Sequence, residues 1–293
     1  MATTSEWIQG ARPRTFPAAI APVAVGVGIA VGAGAFDAIR AALALLVALA
    51  LQVGVNYSND YSDGIRGTDE VRVGPVRLVG QKLAEPLEVK RAAFAMFGIA
   101  VLSGAILVLL TTQWWLVLVG IASVAAAWFY TGGSRPYGYA GFGEFFVFIF
   151  FGIVPVMGTA YVQTLTLNAT SLLGGIGVGA IACSILITNN LRDIPSDSQH
   201  GKLTLAVRLG DARTRIFFYV TIVVGFASAL AITAIVGPWA LLAFVSLPLA
   251  ITPVRVVASG ARGPALIPAL KSTGILLLGF GVLLGLGIAL AGN

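Results

Sequence analysis

Nine apolar runs dominate the chain, at roughly residues 16–34, 38–56, 92–111, 114–130, 144–162, 171–189, 216–235, 239–256 and 271–291. A helix needs about 20 apolar residues to cross the hydrocarbon core of a bilayer. Runs of that length leave few choices. A backbone in hydrocarbon must satisfy its own N–H and C=O groups, and a helix does so within one segment. The chain is therefore read as an all-α polytopic membrane protein of nine transmembrane helices in a single domain over residues 1–293. Composition agrees: 10% of residues are charged and 58% hydrophobic, against about 25% charged in soluble domains.

Charge settles how the spans are threaded. With nine spans the connections alternate sides, and every charged residue except Asp37 and Arg40 falls with the N-terminus, 57–91, 131–143, 190–215 and 257–270, or the span ends beside them. That side holds all the other lysines and arginines, so it is placed in the cytoplasm, with the C-terminus outside. The net charge of +6 follows from the same rule and does not point to nucleic acid. The first apolar run continues as a span, so a cleavable leader is not expected. The single Cys183 lies in an apolar run and reads as a small packing residue.

Two polar stretches stand out on the charged side. NYSNDYSDGIRGTD (56–69) directly follows the second span, and TNNLRDIPSDSQHGK (188–202) follows the sixth. Spacings of three and four put residues on one helical face. If the helices continue, Asn56, Asn59, Asp60 and Asp63 point together, as do Asn189, Asp193 and Asp197, while Gly64 and Gly67 end the first helix and let Arg66 and Asp69 fold back. Asn56-x3-Asp60 also matches Asn189-x3-Asp193, which hints at an internal duplication of about four spans per half.

Carboxylates this close repel one another unless some are neutralised. A hard divalent cation removes the conflict, and Mg²⁺ is usually held by one or two carboxylates together with substrate phosphates. Arg66, Arg72, Arg77, Lys82, Arg135, Arg192, Lys202 and Arg208 lie beside the aspartates. Carboxylates, metal and basic groups together suit a diphosphate. Simple water-exposed helix caps are the plainer reading of any one aspartate. Of the basic residues, Arg72, Lys90, Arg91, Arg213, Arg215, Arg255 and Arg262 read rather as topology determinants or headgroup contacts, and His200 as a loop residue. Glu144 either caps its helix through the N-terminal dipole or meets substrate. The loop YTGGSRPYGYAGFG (130–143) brings Tyr130, Tyr137 and Tyr139 as flat amphipathic surface, a wall for an aromatic acceptor or a plain interfacial turn.

With these motifs, RVGPVRLVG (72–80) and GKLTLAVRLGDARTR (201–215), the chain resembles the UbiA superfamily of membrane prenyltransferases. Within it the motifs are most similar to those of members that prenylate 1,4-dihydroxy-2-naphthoate in menaquinone biosynthesis. The resemblance implies nine helices around a central cavity, with Asn56, Asp60, Asp63, Asp193 and Asp197 binding Mg²⁺ and a prenyl diphosphate. It implies prenyl transfer to the naphthoate ring with loss of carbon dioxide and diphosphate. The family's first motif ends in an Asp four residues after the central one; Gly64 stands there here, leaving Asp63 or Asp69 to complete the set. Transfer to another acceptor such as 4-hydroxybenzoate is the alternative within the family. A secondary transporter is the alternative outside it, but transporters place ionisable groups near the midplane, and these charges gather at one face.

Overall fold

Backbone satisfaction and local capping explain where each helix lies in the computed structural model, which describes residues 2–67 and 76–292. α1 (Thr4–Gly10) opens on a capping box in which Thr3 and Glu6 satisfy each other's backbone N–H groups. A turn at Pro13–Thr15 leads into α2 (Pro17–Gly32), bent by 50° from the segment before it. α3 (Ala38–Ile65) starts on Asp37, whose Oδ1 accepts the N–H groups of Ile39 and Arg40 at 2.9 and 3.0 Å, an N-cap of the kind that contributes about 1 kcal/mol. α4 (Pro86–Thr111) and α5 (Leu116–Phe129) follow. α6 (Gly143–Phe148) passes through a π turn at Ile149–Ile153 into α7 (Val154–Thr164), and these form one span. α8 (Ala169–Gln199), α9 (Leu205–Val236), a 3-10 stretch at Pro238–Ser246 leading into α10 (Leu247–Ala258), and α11 (Ile267–Ala291) complete the chain.

Among the described residues, seven helices are long and apolar enough to cross a membrane, and α2 with its bent lead-in makes an eighth. α5, at 14 residues, is an apolar helix shorter than a full span. The nine expected runs therefore all lie in helices, one of them short. α3 and α8, at 28 and 31 residues, carry the two polar motifs at their ends. Each runs on past its apolar part, so the motifs are helical as far as Ile65 and Gln199.

Arginines close helix ends at both ends of the bundle. At one end, Arg40 donates to the carbonyls of Val162 at 3.0 Å and Leu110 at 3.3 Å. This single guanidinium caps the last turns of α4 and α7. At the other end, Arg215 donates to the carbonyls of Val257 and Ala261 at 2.6 and 2.7 Å.

Glycine sets the tightest helix contacts, because no hydrophobic force joins helices in lipid and close backbone approach replaces it. A Cβ on Gly28 of α2 would stand 2.1 Å from the carbonyl oxygen of Gly285 in α11. A Cβ on Gly152, inside the π turn, would stand 2.3 Å from Cα of Gly179 in α8. The main buried core joins α2, α7, α8, α9 and α11, with Phe218, Phe280 and Ile181 fully enclosed. α8 lies within it, and this holds the second polar motif steady at its end.

Candidate active site

The last turns of α3 divide into two faces. Asn56 and Asp60, four residues apart, turn one way. Asn56 donates to the Ala11 carbonyl at 2.8 Å and to Thr15 Oγ1 at 2.9 Å, and one residue on, Tyr57 donates to the Trp7 carbonyl at 3.0 Å. Asp60 is fully buried. Its Oδ2 accepts the Leu78 N–H at 2.8 Å and its Oδ1 the Val79 N–H at 3.1 Å. The expected central ligand thus fixes the turn at 78–80 with both oxygens, and the cations Arg12 and Arg77 lie in electrostatic reach of it. Arg77 itself is buried.

Asn59, Asp63 and Arg66 turn the other way, toward the loop after α5. Asn59 Oδ1 accepts from Thr131 Oγ1 at 2.8 Å. Asp63 Oδ1 accepts from the Tyr139 hydroxyl at 2.6 Å, the short distance of a charge-assisted bond. Arg66 donates to the carbonyls of Thr131 and Gly133, and its guanidinium carbon lies 5.4 Å from the centre of the Tyr139 ring. The chain can fold back there because Gly67 takes φ +72°, a conformation that costs glycine little.

The second motif meets the same loop from the opposite side. Lys202 pairs with Asp197 at 3.7 Å, and its Nζ lies 5.0 Å from the Tyr139 ring centre. The backbone follows: the Leu203 N–H donates to the Tyr139 carbonyl at 2.9 Å, and Arg208 donates to the Ala140 carbonyl at 2.9 Å. Arg192 holds its neighbour Asp193 through two bonds of 2.6 and 2.7 Å and also donates to Asn189 at 2.8 Å. Tyr139 therefore joins the motifs, with its hydroxyl on Asp63 and its ring under Arg66 and Lys202.

The expected convergence is only partial. Asn56 and Asp60 point to the N-terminal segment and the 78–80 turn rather than to the second motif. In the second pair, Asn189 and Asp193 are both held by Arg192. Arg135 is exposed and forms no hydrogen bond or ion pair with a described residue. Tyr137 donates to the Ala126 carbonyl at 2.7 Å and stacks on Phe146 with ring centres 3.9 Å apart, and burial pushes its phenol up. Tyr130 packs edge-on against it at 5.5 Å. These contacts lie within the loop and its neighbouring helices, whereas Tyr139 reaches both motifs. Asp69 and Arg72 lie outside the described residues.

Two residues enter the site that the motif spacing did not single out. Thr131 holds Asn59, and Asn190 donates to Glu144 Oε1 at 2.9 Å. Asn190 was open to notice as the second Asn of NN, but adjacent helical residues point about 100° apart, and nothing in the sequence says which one faces inward.

Among the described residues, no three His, Cys, Asp or Glu side chains come together as a metal-holding group. The donor chemistry nonetheless suits Mg²⁺, which needs one or two carboxylates and takes its other ligands from phosphate and water. Asp63 and Asp197, joined through Tyr139 and Lys202, provide such donors, with Asp193 a turn away on α8.

A profile of the UbiA prenyltransferase family matches residues 19–267. A 1,4-dihydroxy-2-naphthoate octaprenyltransferase of Mycobacterium tuberculosis is 50% identical over 279 residues, covering 95% of this chain and 94% of its own. Among solved structures, a UbiA homolog from Aeropyrum pernix superposes with a TM-score of 0.71 at 18% identity, covering 93% of this chain and 97% of its own. A UbiA homolog from Archaeoglobus fulgidus bound to GPP and Mg2+ superposes with a TM-score of 0.64 at 15% identity, covering 95% and 99%. With its helical membrane fold and both Asn/Asp motifs at one end, the chain belongs to the UbiA prenyltransferase family.

Proposed function

We propose that this protein transfers a polyprenyl group from a prenyl diphosphate to 1,4-dihydroxy-2-naphthoate, releasing carbon dioxide and diphosphate and giving demethylmenaquinol. The observation that carries the reading is the bridge through Tyr139, which gathers Asp63, Arg66, Asp197 and Lys202 at one membrane face. Carboxylates and cations interleaved in this way suit a metal-bound diphosphate. The likeness to the mycobacterial enzyme along nearly its whole length supports the naphthoate as acceptor.

In this reading Asp63, Asp193 and Asp197 hold Mg²⁺, which when bound supplies charge neutralisation for the departing diphosphate. Lys202 and Arg66 take the diphosphate oxygens not claimed by the metal. Asp60 acts at one remove by fixing the 78–80 turn and holding Arg77 beside the site. The apolar spans take the isoprenoid tail, so the polar head alone leaves the hydrocarbon. The N-terminus and this site face the cytoplasm, where the basic residues gather.

The test is the mass of the product formed when purified protein in bilayer discs receives dihydroxynaphthoate or 4-hydroxybenzoate with prenyl diphosphates of several lengths. Prenylated, decarboxylated naphthoquinol is expected. A prenylated hydroxybenzoate without a naphthoquinol product refutes the acceptor.

A further inference from the structure

Glu144 is a buried carboxylate, 5% exposed, that the diphosphate site does not use. Its Oε1 accepts from Asn190, while Oε2 is enclosed and has no hydrogen-bond partner. The sequence leaves two roles for it, and its place in the first turn of α6 is compatible with the dipole role without accounting for the open oxygen. From that first turn the Glu144 carboxylate also reaches across to Asn190 of α8. The Cys183 thiol of α8 donates to the Glu144 carbonyl at 3.2 Å, so side chain and backbone are both tied to that helix. A buried acceptor oxygen left open inside an otherwise bonded pair is a group whose missing donor the described residues do not supply.

The position of the pair says which donor. Asn190, Asp193 and Asp197 stand at i, i+3 and i+7 and so share one face of α8. Asn190 is three residues before Asp193, about 4.5 Å nearer the apolar part of the helix. Glu144 therefore lies just beneath the carboxylates assigned to the diphosphate, at the junction between polar head and isoprenoid tail. The allylic carbon and the attacking ring have to meet at this junction.

We propose that Glu144 Oε2 accepts the hydrogen bond of the acceptor's 1-hydroxyl group and takes its proton as the ring attacks, with Asn190 holding the other oxygen. This rests on the naphthoate reading above. As the bond from ring carbon 2 to the allylic carbon forms and the allylic C–O bond to diphosphate breaks, the 1-hydroxyl proton moves to Glu144 and the ring becomes a 1-ketone. Carbon dioxide then leaves carbon 2, its bonding pair restores the aromatic ring as the 1-oxide, and Glu144 returns the proton to that oxygen. The sequence consumes no net proton and needs no oxidant.

The experiment compares wild type, Glu144→Gln and Glu144→Asp in bilayer discs, with steady-state kinetics and direct titration of dihydroxynaphthoate. Glu144→Gln keeps the shape but offers a donor in place of an acceptor. It is expected to lower kcat/KM for the acceptor by about 10²- to 10⁴-fold, the usual contribution of a positioned acid–base group. The KM for prenyl diphosphate should stay within threefold, and Glu144→Asp should recover part of the loss. A Glu144→Gln enzyme within threefold of wild type overturns the proposal, as does a parallel rise in the prenyl diphosphate KM. Titrating wild type with the 1-methoxy analogue covers the case of a variant that does not fold. At least tenfold weaker binding than the parent is expected, and equal binding overturns the proposal. If wild type prenylates only another phenol, the naphthoate reading fails by itself, and the variants are compared on that phenol and its methyl ether.

Discussion

The hydroxyl of Tyr139 stands 2.6 Å from Oδ1 of Asp63 and donates to it, while Lys202, the ion-pair partner of Asp197, lies against the same tyrosine ring. One side chain from a loop thus couples two motifs more than a hundred residues apart in sequence. Its two ends do different things: the hydroxyl orients a carboxylate, and the ring offers its electron-rich face to two cations.

Tyr139→Phe separates these roles, since it removes the hydroxyl and keeps the ring. A hydrogen bond to a charged group is worth about 1.5–3 kcal/mol, so kcat/KM for prenyl diphosphate should fall about 10- to 100-fold. Tyr139→Ala, which also removes the cation–π face, should cost more. Steady-state kinetics with varied prenyl diphosphate measures both.

Asp60 supports structure with both oxygens, so Asp60→Ala should damage folding as well as turnover. It leaves the Leu78 and Val79 N–H groups buried without acceptors, at about 1–3 kcal/mol each. The inactivation temperature in detergent should drop for Asp60→Ala. Asp193→Ala, whose partner Arg192 can still bond Asn189, should lose turnover with a smaller drop.

Chelation of divalent metal should abolish prenyl transfer, and added Mg²⁺ should restore it. Asp197→Asn should raise the Mg²⁺ concentration that gives half-maximal rate, whereas Lys202→Ala should mainly raise the KM for prenyl diphosphate. Titrating each variant with Mg²⁺ and then with prenyl diphosphate distinguishes the two effects.

Arg40 lies in the first turn of α3, at the opposite end of that helix from Asp60 and Asp63. Arg40→Ala removes donors from the carbonyls of Leu110 and Val162, so about 1–3 kcal/mol of stability should go. The inactivation temperature should fall with kcat unchanged.

Thiol labelling reads the orientation directly, because the single native thiol, Cys183, is buried. Cysteine introduced at exposed Ser134 should react with a membrane-impermeant reagent only from the cytoplasmic side. Cysteine at exposed Thr166 should react only from the outside. The opposite pattern would invert the proposed topology.

Apolar runs and the one-sided distribution of charge determined, from sequence alone, that the chain is a helical membrane protein with its polar motifs at one end. Both are local or summed properties: about 20 apolar residues in a row need hydrocarbon, and lysines and arginines resist translocation wherever they occur. The helical spacing of NYSNDYSDGI and NNLRDIPSD was legible for the same reason, since periodicity belongs to the segment. What each residue faces was not, because that depends on how a helix is rotated and on which distant segment packs against it. Asp60 went to the backbone of Leu78 and Val79 because the 78–80 turn lies against that side of α3, and Asp63 went to Tyr139 because the α5–α6 loop lies against the other. Glu144 and Asn190 became a pair only when α6 was laid along α8, and no pattern within either segment carries that contact. Only the tertiary structure separated Asp60, bonded to backbone N–H groups, from Asp63, bonded to a side-chain hydroxyl.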